Sequence, residues 1–296
     1  MESWREQPVV FWTFLLPGAF WLLGFFLAPL ALIWLYSFGE RAGPVDIVVT
    51  GTRENYLAAL DPIYLGLFWK SFWIAALATA TTLVIAFPVA LAVSFAPARL
   101  KPLLLLLVIL PFWTNLLIRT YAMIAVLRTR GYANFGLEAI WDLVGAGSGL
   151  LGIALQAFEP LTLLYSNAAV VIGIVYVYLP FMVLPLYATL ERMDRSYLEA
   201  SLDLGAGHLR TFMSVVVPLA RPGILSGVIL VLVPALGTFL ISDLLGGPDS
   251  QLIGNVIERQ FKAANNWPLG AAMSFLLMYV TFAALALRAF LAERDV

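Results

Sequence analysis

The stretch Glu191–Ile224, ERMDRSYLEASLDLGAGHLRTFMSVVVPLARPGI, is a polar segment between two runs that are almost entirely apolar. Ser196 and Glu199 match a capping box, in which the serine hydroxyl accepts from the amide of Glu199 and the glutamate carboxylate reaches back to the amide of Ser196. We therefore predict a short helix that begins at Ser196 and stops at Gly205, because glycine suits the left-handed position that follows a helix.

A second short helix is predicted at about Leu209–Val217, ended by Pro218 and Pro222. Two short helices around a glycine turn, held between apolar runs, indicate a docking element rather than a linker. The alternative is an amphipathic loop without a partner, because capping boxes are common and the charged side chains would then form a solvated face.

Composition places the chain in a membrane. Hydrophobic residues make up 62% of the sequence and charged residues 12%, with a mean hydropathy of +0.93. A soluble domain usually has about 25% charged residues. Apolar runs that cross a bilayer must satisfy their own backbone, so they are helices. The sequence thus predicts an all-α, polytopic membrane protein.

Six runs exceed the roughly 20 residues that the hydrocarbon core requires. The first is too long for the hydrophobic region of a signal peptide, and we interpret it as a retained span. The predicted spans are about Phe11–Phe38, Leu67–Phe95, Leu103–Leu127, Leu161–Leu190, Gly223–Leu245 and Leu269–Leu291.

Leu150–Leu164 is apolar but short and interrupted by Gly152 and Glu159-Pro160, so we expect a re-entrant or surface-lying helix there. With the N-terminus inside and four spans before it, the polar segment then faces the cytoplasm. Arg99 and Lys101 in the short loop after span two agree with this orientation under the positive-inside rule. Cations also occur in the outer loops, so the charge bias is weak.

The sequence contains no phosphate-binding loop of the G-x-x-x-x-G-K-[ST] type, no cysteine, and a single histidine, His208. Thiolate metal sites, cysteine nucleophiles and multi-histidine metal sites are therefore excluded. We predict one transmembrane domain over residues 1–296, with no catalytic or metal-binding residues and with any energy-coupling machinery on another polypeptide.

The polar segment resembles the EAA loop of ABC importer permeases, the element that fits into a groove on the cytoplasmic ATPase. Ser201 stands where that family usually has a second alanine, and serine is small enough to keep close packing. The coupling loop would extend over about residues 191–222. The residues that carry the resemblance are Glu199, Ala200, Gly205, Ala206 and Pro218.

Further blocks resemble the spermidine/putrescine permease group in order and spacing, across about two thirds of the chain. They are Pro111–Tyr121, Pro234–Gly237, Ser242–Pro248, Ile253–Ile257 and Asn266–Ala272. The resemblance implies a type I ABC importer permease in a bacterial inner membrane. It also implies as partners a second homologous permease, two cytoplasmic ATPase subunits and a periplasmic substrate-binding protein.

This resemblance places ATP and magnesium on the partner ATPase, with no cofactor in this chain and no nucleic-acid partner. The implied cargo is a polyamine. Two alternatives stay open. The same architecture could carry iron, thiamine, an aminophosphonate or an amino-acid-like compound, or the chain could be an ion-coupled secondary transporter. The second alternative lacks the inverted halves and paired interrupted helices that such transporters have.

A linear polycation in a low-dielectric passage needs carboxylates or carbonyls for its ammonium groups and aromatic faces for cation–π contact. Asp243 is the candidate carboxylate, because an ionisable residue at membrane depth is by default functional; its alternative is a structural ion pair with Arg119. The other candidates, whose alternative is interfacial or bundle packing, are Trp113, Asn115, Tyr121, Tyr176 and Tyr178.

Arg119 lies four residues after Asn115, so both share one face of span three. An arginine in the passage would repel a cationic cargo. We therefore expect Arg119 to neutralise a carboxylate or to extend outward to the headgroups. For an anionic cargo it would instead be the natural ligand, so this residue separates two classes of substrate.

Overall fold

A computed structural model of the protein describes residues 8–43, 46–149 and 156–292. The fold is all-α apart from a short hairpin of β1 (Gly39–Arg41) and β2 (Ile47–Val49), in which Gly39 pairs with Val49. The helices of the first half are α1 (Pro8–Leu22), α2 (Ala28–Tyr36), α3 (Glu54–Ala59), α4 (Pro62–Phe95), α5 (Lys101–Ile109), α6 (Leu116–Leu127) and α7 (Tyr132–Gly149). Those of the second half are α8 (Asn167–Glu191), α9 (Ser196–Asp203), α10 (His208–Thr211), α11 (Val217–Leu219), α12 (Arg221–Leu236), α13 (Leu240–Leu245), α14 (Ile253–Lys262) and α15 (Trp267–Ala292).

Four predicted spans form long apolar helices. A π-helical turn at Leu23–Leu27 joins α1 and α2 into one continuous helix, and α4, α8 and α15 supply the other three. Length and apolar character confirm these four as membrane-spanning candidates. The predicted ends lie within six residues of the observed ones, because the apolar runs themselves mark where the helices lie.

The predictions for spans three and five as single helices are wrong. The third predicted span breaks after a 3₁₀ turn at Leu110–Trp113, and the helical segments on either side are bent by 95°. The fifth ends at Leu236, and α13 follows as a separate short helix. The described chain thus has four spans, or six if each bent pair counts as one span, and the count of six stays a prediction.

In the part of Leu150–Leu164 that the structure describes, the predicted helix does not form. Residues 150–155 lie outside the described residues, and 156–164 form no regular secondary structure. The segment is preceded by α7, a helix that the sequence analysis did not place in any element. Its moderate polarity, with Glu138 and Asp142 within the helix, kept it below the apolar signal that we used.

Contacts group the described chain into two units. The first comprises described residues of 1–65 and 256–296, and its core forms where Ala59 packs with Leu269 and Met273. Within this unit the indole N–H of Trp34 donates to the hydroxyl of Tyr279 at 2.7 Å. The single domain over 1–296 stays a prediction.

The second unit, residues 66–255, contains the polar segment and most candidate site residues. Its two cores lie along α8, one packed against α4 and α13 and the other against α4 and α12. Glycines bring the helices close: a Cβ added at Gly223 of α12 would lie 2.8 Å from the carbonyl oxygen of Pro185, and one at Gly173 of α8 would lie 2.5 Å from Leu245. These close approaches fix how α12 and α13 sit on α8.

Candidate coupling loop and substrate passage

The first helix of the predicted coupling loop, called the first coupling helix below, has the predicted bounds. It is α9, Ser196–Asp203, and Gly205 follows with a φ of 82°. The amide of Gly205 donates to the carbonyl of Leu202 at 2.9 Å and that of Ala206 to the carbonyl of Ser201 at 3.1 Å, so these two carbonyls of the last turn are satisfied. The left-handed conformation explains why glycine stands at this position.

The predicted capping box does not form. Ser196 is the first helical residue rather than the cap, and its amide donates to the carboxylate of Asp194 at 3.0 Å. Backbone and side-chain hydrogen bonds from Ser196 hold the pKa of Asp194 below its ordinary value. The carboxylate is therefore ionised at neutral pH, and this cap is lost only as the pH falls through that lowered pKa. The hydrogen bond between the Ser196 amide and Asp194 forms instead of the capping box, because an aspartate side chain readily accepts from the amide two residues later in a tight turn.

The second coupling helix is longer than predicted. It comprises α10, a π-helical turn at Phe212–Val216 and α11, and it continues past Pro218 to Leu219. The π-helical turn starts a new hydrogen-bonding register, so Pro218 lies in the first turn of α11, where its missing N–H is tolerated. After Ala220 the chain bends by 67° into α12.

The two coupling helices contact each other, and we call this pair, Ser196–Asp203 with His208–Leu219, and the turn between them the knob. The hydroxyls of Ser201 and Thr211 share a hydrogen bond of 3.0 Å that joins the two helices. Two apolar side chains are exposed on the knob, Leu204 at 88% and Leu209 at 73%. These two leucines expose apolar surface in an otherwise polar segment. Glu199 and Ala200 are also exposed on this knob, whereas Ala206 and Pro218 are partly buried.

Two contacts tie the start of this loop to the ends of α4 and α5. The Lys101 ammonium bonds both carboxylate oxygens of Glu191, at 2.5 and 2.7 Å. The Arg195 guanidinium lies over the Phe95 ring, 5.1 Å from its centroid. Sequence reasoning treated Lys101 only as a marker of membrane orientation, since nothing local links it to a residue ninety positions away.

Asp243 is exposed on α13, and its carboxylate forms no ion pair or hydrogen bond with any described residue. The predicted alternative of a structural pair with Arg119 therefore does not form within the described chain. The short helix that carries Asp243 is fixed from its other side, where Ile241 and Leu245 pack against Gly173. The carboxylate is free to meet a ligand.

The other candidates separate into two groups. Near the break of span three, Trp113 is 76% and Tyr121 58% exposed, and Asn115 caps α6 by accepting from the amide of Leu117 at 2.8 Å. On α8, Tyr176 is exposed, whereas Tyr178 is partly buried and hydrogen-bonded to Thr238. Asn115 thus has a clear structural role, and Tyr178 belongs to the interior of the unit.

A buried polar cluster that the sequence analysis did not identify holds the segment between α12 and α14. The side-chain oxygen of Asn255 accepts from Ser242 at 2.6 Å and from the amide of Leu252 at 3.0 Å, and its amide donates to the carbonyl of Phe239. Gly254 lies so close that a Cβ there would be 2.7 Å from the carbonyl oxygen of Thr238. The only hint of this cluster in the sequence was that Gly254 and Asn255 belong to the Ile253–Ile257 block of the family resemblance.

Arg119 is buried, with a relative exposure of 7% for the residue, so the prediction that it extends to the headgroups is wrong. Its guanidinium lies 5.6 Å from the centroid of the Phe112 ring. The Phe112 ring in turn packs edge-on against Phe181, which follows Tyr178 on α8. Sequence reasoning named Arg119 but missed the two phenylalanines, which carry no polar group to mark them.

Chemically, this arrangement offers binding surfaces rather than a reaction centre. Within residues 8–43, 46–149 and 156–292, no group of three or more histidine, cysteine, aspartate or glutamate side chains could hold a metal ion. What the described residues do offer is an exposed knob and, in the same unit, a free carboxylate and exposed aromatic side chains.

Comparison with known proteins gives a family match and a similar permease. Residues 8–294 match a family described as the binding-protein-dependent transport system inner membrane component. The chain is 42% identical over 260 residues to the spermidine/putrescine transport system permease protein PotB of Escherichia coli (strain K12), covering 88% of this chain and 90% of the relative.

Two solved structures share the fold. A bacterial ABC transporter involved in the import of the acidic polysaccharide alginate has a chain with a TM-score of 0.69 and 14% identity, covering 99% of this chain and 98% of that one. The alginate transporter in complex with an alginate-bound periplasmic protein gives a TM-score of 0.67 at 13% identity, covering 100% and 98%. At such low identity the likeness concerns the fold alone.

Proposed function

The chain belongs to the family of binding-protein-dependent transport system inner membrane components, and on that premise we propose that it is one permease subunit of an ATP-driven polyamine importer. The observation that carries the proposal is the 42% identity, over 88% of the chain, to a spermidine/putrescine permease. The protein is a multi-pass component of the bacterial inner membrane, and it would form half of the passage for spermidine and putrescine.

The remaining half would come from a second, homologous permease. Two cytoplasmic ATPase subunits would bind ATP and magnesium and carry out hydrolysis, and a periplasmic binding protein would deliver the cargo. No catalytic residue or cofactor is assigned to this chain. The exposed leucines of the knob and the absence of a phosphate-binding loop in the sequence support this division of labour.

Coupling would pass through the knob. Its second helix continues with one bend into α12, and α12 packs on α8 through Gly223 and Gly227. A force applied to the knob by closing ATPases therefore acts directly on a helix of the passage. The Glu191–Lys101 and Arg195–Phe95 contacts hold the other end of the loop to α5 and α4.

Cargo recognition in this chain would rest on Asp243, with Trp113, Tyr121 and Tyr176 as exposed aromatic faces. A carboxylate pairs with an ammonium group, and an aromatic face adds a cation–π contact of about 0.5–2 kcal/mol. The same architecture with another cargo is the second candidate, because a shared fold carries an acidic polysaccharide in the alginate transporter.

Uptake competition separates these two candidates. In cells whose own polyamine import is deleted, the chain with its partner subunits should restore uptake of radiolabelled spermidine. Excess putrescine should suppress that uptake, whereas iron, thiamine, an aminophosphonate and amino acids should not. Suppression by one of the latter compounds, with none by putrescine, would assign the transporter to that other cargo.

Asp243→Asn removes the charge with little change in shape and should weaken spermidine uptake affinity about tenfold to a hundredfold. That range corresponds to the roughly 1.5–3 kcal/mol of a hydrogen bond to a charged group. Thermal stability of the complex should not change, because Asp243 has no partner within the described chain. Asp249→Asn, an exposed carboxylate nearby, is the matched control. Equal uptake by both variants would remove Asp243 from the passage.

A further inference from the structure

The segment that enters the knob is anchored where the ends of three helices meet. Glu191 is the last residue of α8, Lys101 the first of α5 and Phe95 the last of α4. The Lys101 ammonium bonds both carboxylate oxygens of Glu191, and the Arg195 guanidinium lies over the Phe95 ring. Arg195 directly precedes the first coupling helix. The segment that enters the knob therefore contacts both α4 and α5.

The ion pair of Lys101 and Glu191 is shielded better than a pair on the protein surface. The exposed fraction is 16% for the Lys101 side chain and 36% for that of Glu191. A fully exposed ion pair holds two segments together only weakly, because water and salt screen it. Here the ammonium makes two charge-assisted hydrogen bonds and is largely removed from solvent. The pair is therefore a firm link between the coupling loop and α5.

Helix α5 packs only lightly along its length. The structure describes all nine of its residues, and none of them is buried, although Val108 touches the core between α8 and α12. At its far end, Phe112 of the 3₁₀ turn packs edge-on against Phe181, with the ring centroids 5.2 Å apart. A helix of this length is a rigid rod of about 14 Å. A shift of its first residue is therefore carried to the 3₁₀ turn.

The break of span three follows this rod. The chain bends by 95° directly after the 3₁₀ turn, which carries Trp113, a candidate face of the passage. We propose that the Lys101–Glu191 pair is a second coupling link, which positions α5 and this break when the knob moves. The inference rests on the proposed function, because it requires an ATPase that moves the knob.

The two links divide the movement of the knob between two helices. The second coupling helix acts on α12, with which it is continuous through one bend, and the ion pair acts on α5. Coupling of this kind is carried by rigid elements and by the polar contacts that join them. Lys101 and Glu191 are thus positioning residues, and neither touches the cargo.

Glu191→Gln removes the charge with little change in shape and should uncouple transport from hydrolysis. In proteoliposomes with the binding protein and ATP, this variant should move at least about threefold less spermidine per ATP hydrolysed, the modest loss expected for a partly exposed pair. Stimulated hydrolysis should stay nearly unchanged, because the knob still docks. Lys101→Gln should give the same loss, and the exchanged pair, Lys101→Glu with Glu191→Lys, should recover most of it.

Glu258→Gln is the matched control, because it breaks the ion pair of Glu258 with Lys262 inside α14 by the same substitution. It should leave the ratio of transport to hydrolysis unchanged. Losses of transport and hydrolysis in equal proportion in Glu191→Gln would indicate a purely structural role and would overturn the proposed link. An unchanged ratio in Glu191→Gln would overturn it as well.

A second measurement does not depend on the cargo. The native chain has no cysteine, so spin labels can be attached to cysteines at Leu110, at the far end of α5, and Ala188, on α8, both of which are exposed. Trapping the complex with ATP and vanadate should shift the distance between the labels, and Glu191→Gln should abolish that shift.

No shift in the complex that keeps Glu191, or an equal shift in Glu191→Gln, would overturn the link. Failure of the native transporter to move spermidine, with the shift intact, would instead refute the proposed cargo and leave the link standing.

Discussion

Gly205→Val is expected to abolish stimulation of ATP hydrolysis by the loaded binding protein while the chain still inserts and assembles. Gly205 has a φ of 82°, and a β-branched residue in this conformation costs roughly 1–2 kcal/mol. The strain is relieved when the backbone returns to negative φ, which rotates the second coupling helix away from the first. Nothing lies within 4 Å of an added Cβ, so the effect comes from the backbone and not from a clash.

The neighbouring Gly207 provides the control. Its φ of −70° and ψ of 159° suit any L-residue, and the space beside it is also open. Gly207→Val should therefore keep most of the stimulation, and Gly205→Asn should keep part of it, since asparagine tolerates the left-handed conformation. The purified complex in nanodiscs gives the readout. Wild-type stimulation in Gly205→Val would show that this loop does not transmit the signal.

The long apolar helices and the glycine turn could be predicted because each depends on residues that are close in sequence. An apolar run long enough to cross the core has no alternative to a helix in lipid, which is why α4, α8 and α15 were found. Gly205 was found because a left-handed residue after a helix has a strong preference for glycine. Both predictions rest on neighbouring residues and on strong structural preferences.

The breaks in spans three and five could not be predicted from hydropathy. Residues on both sides of Asn115 are equally apolar. The helix ends in a 3₁₀ turn followed by an extended Thr114, and the Asn115 side chain then caps the start of α6 by accepting from Leu117. The capping box failed for a similar reason. Two local motifs competed at Ser196, and the aspartate two residues earlier gave the better cap.

Contacts between distant residues account for the rest of what was missed. The pair of Lys101 and Glu191, and the cluster around Asn255, join segments whose spacing in sequence carries no signal. The environment of Arg119 is of the same kind. Its sequence position predicted a neutralising carboxylate or an outward-pointing side chain, and the described chain provides neither, because the guanidinium is buried over the Phe112 ring, which carries no polar group to mark it in the sequence.

The central claim, that this chain couples ATP hydrolysis to inward transport of a polyamine, is tested most directly in proteoliposomes that contain the purified transporter. With the binding protein and labelled spermidine on one face and ATP with magnesium on the other, spermidine should accumulate against its gradient. Uptake should vanish when ATP is replaced by a non-hydrolysable analogue or when the binding protein is omitted. Accumulation without ATP, driven by a proton or sodium gradient, would contradict this account and support a secondary transporter.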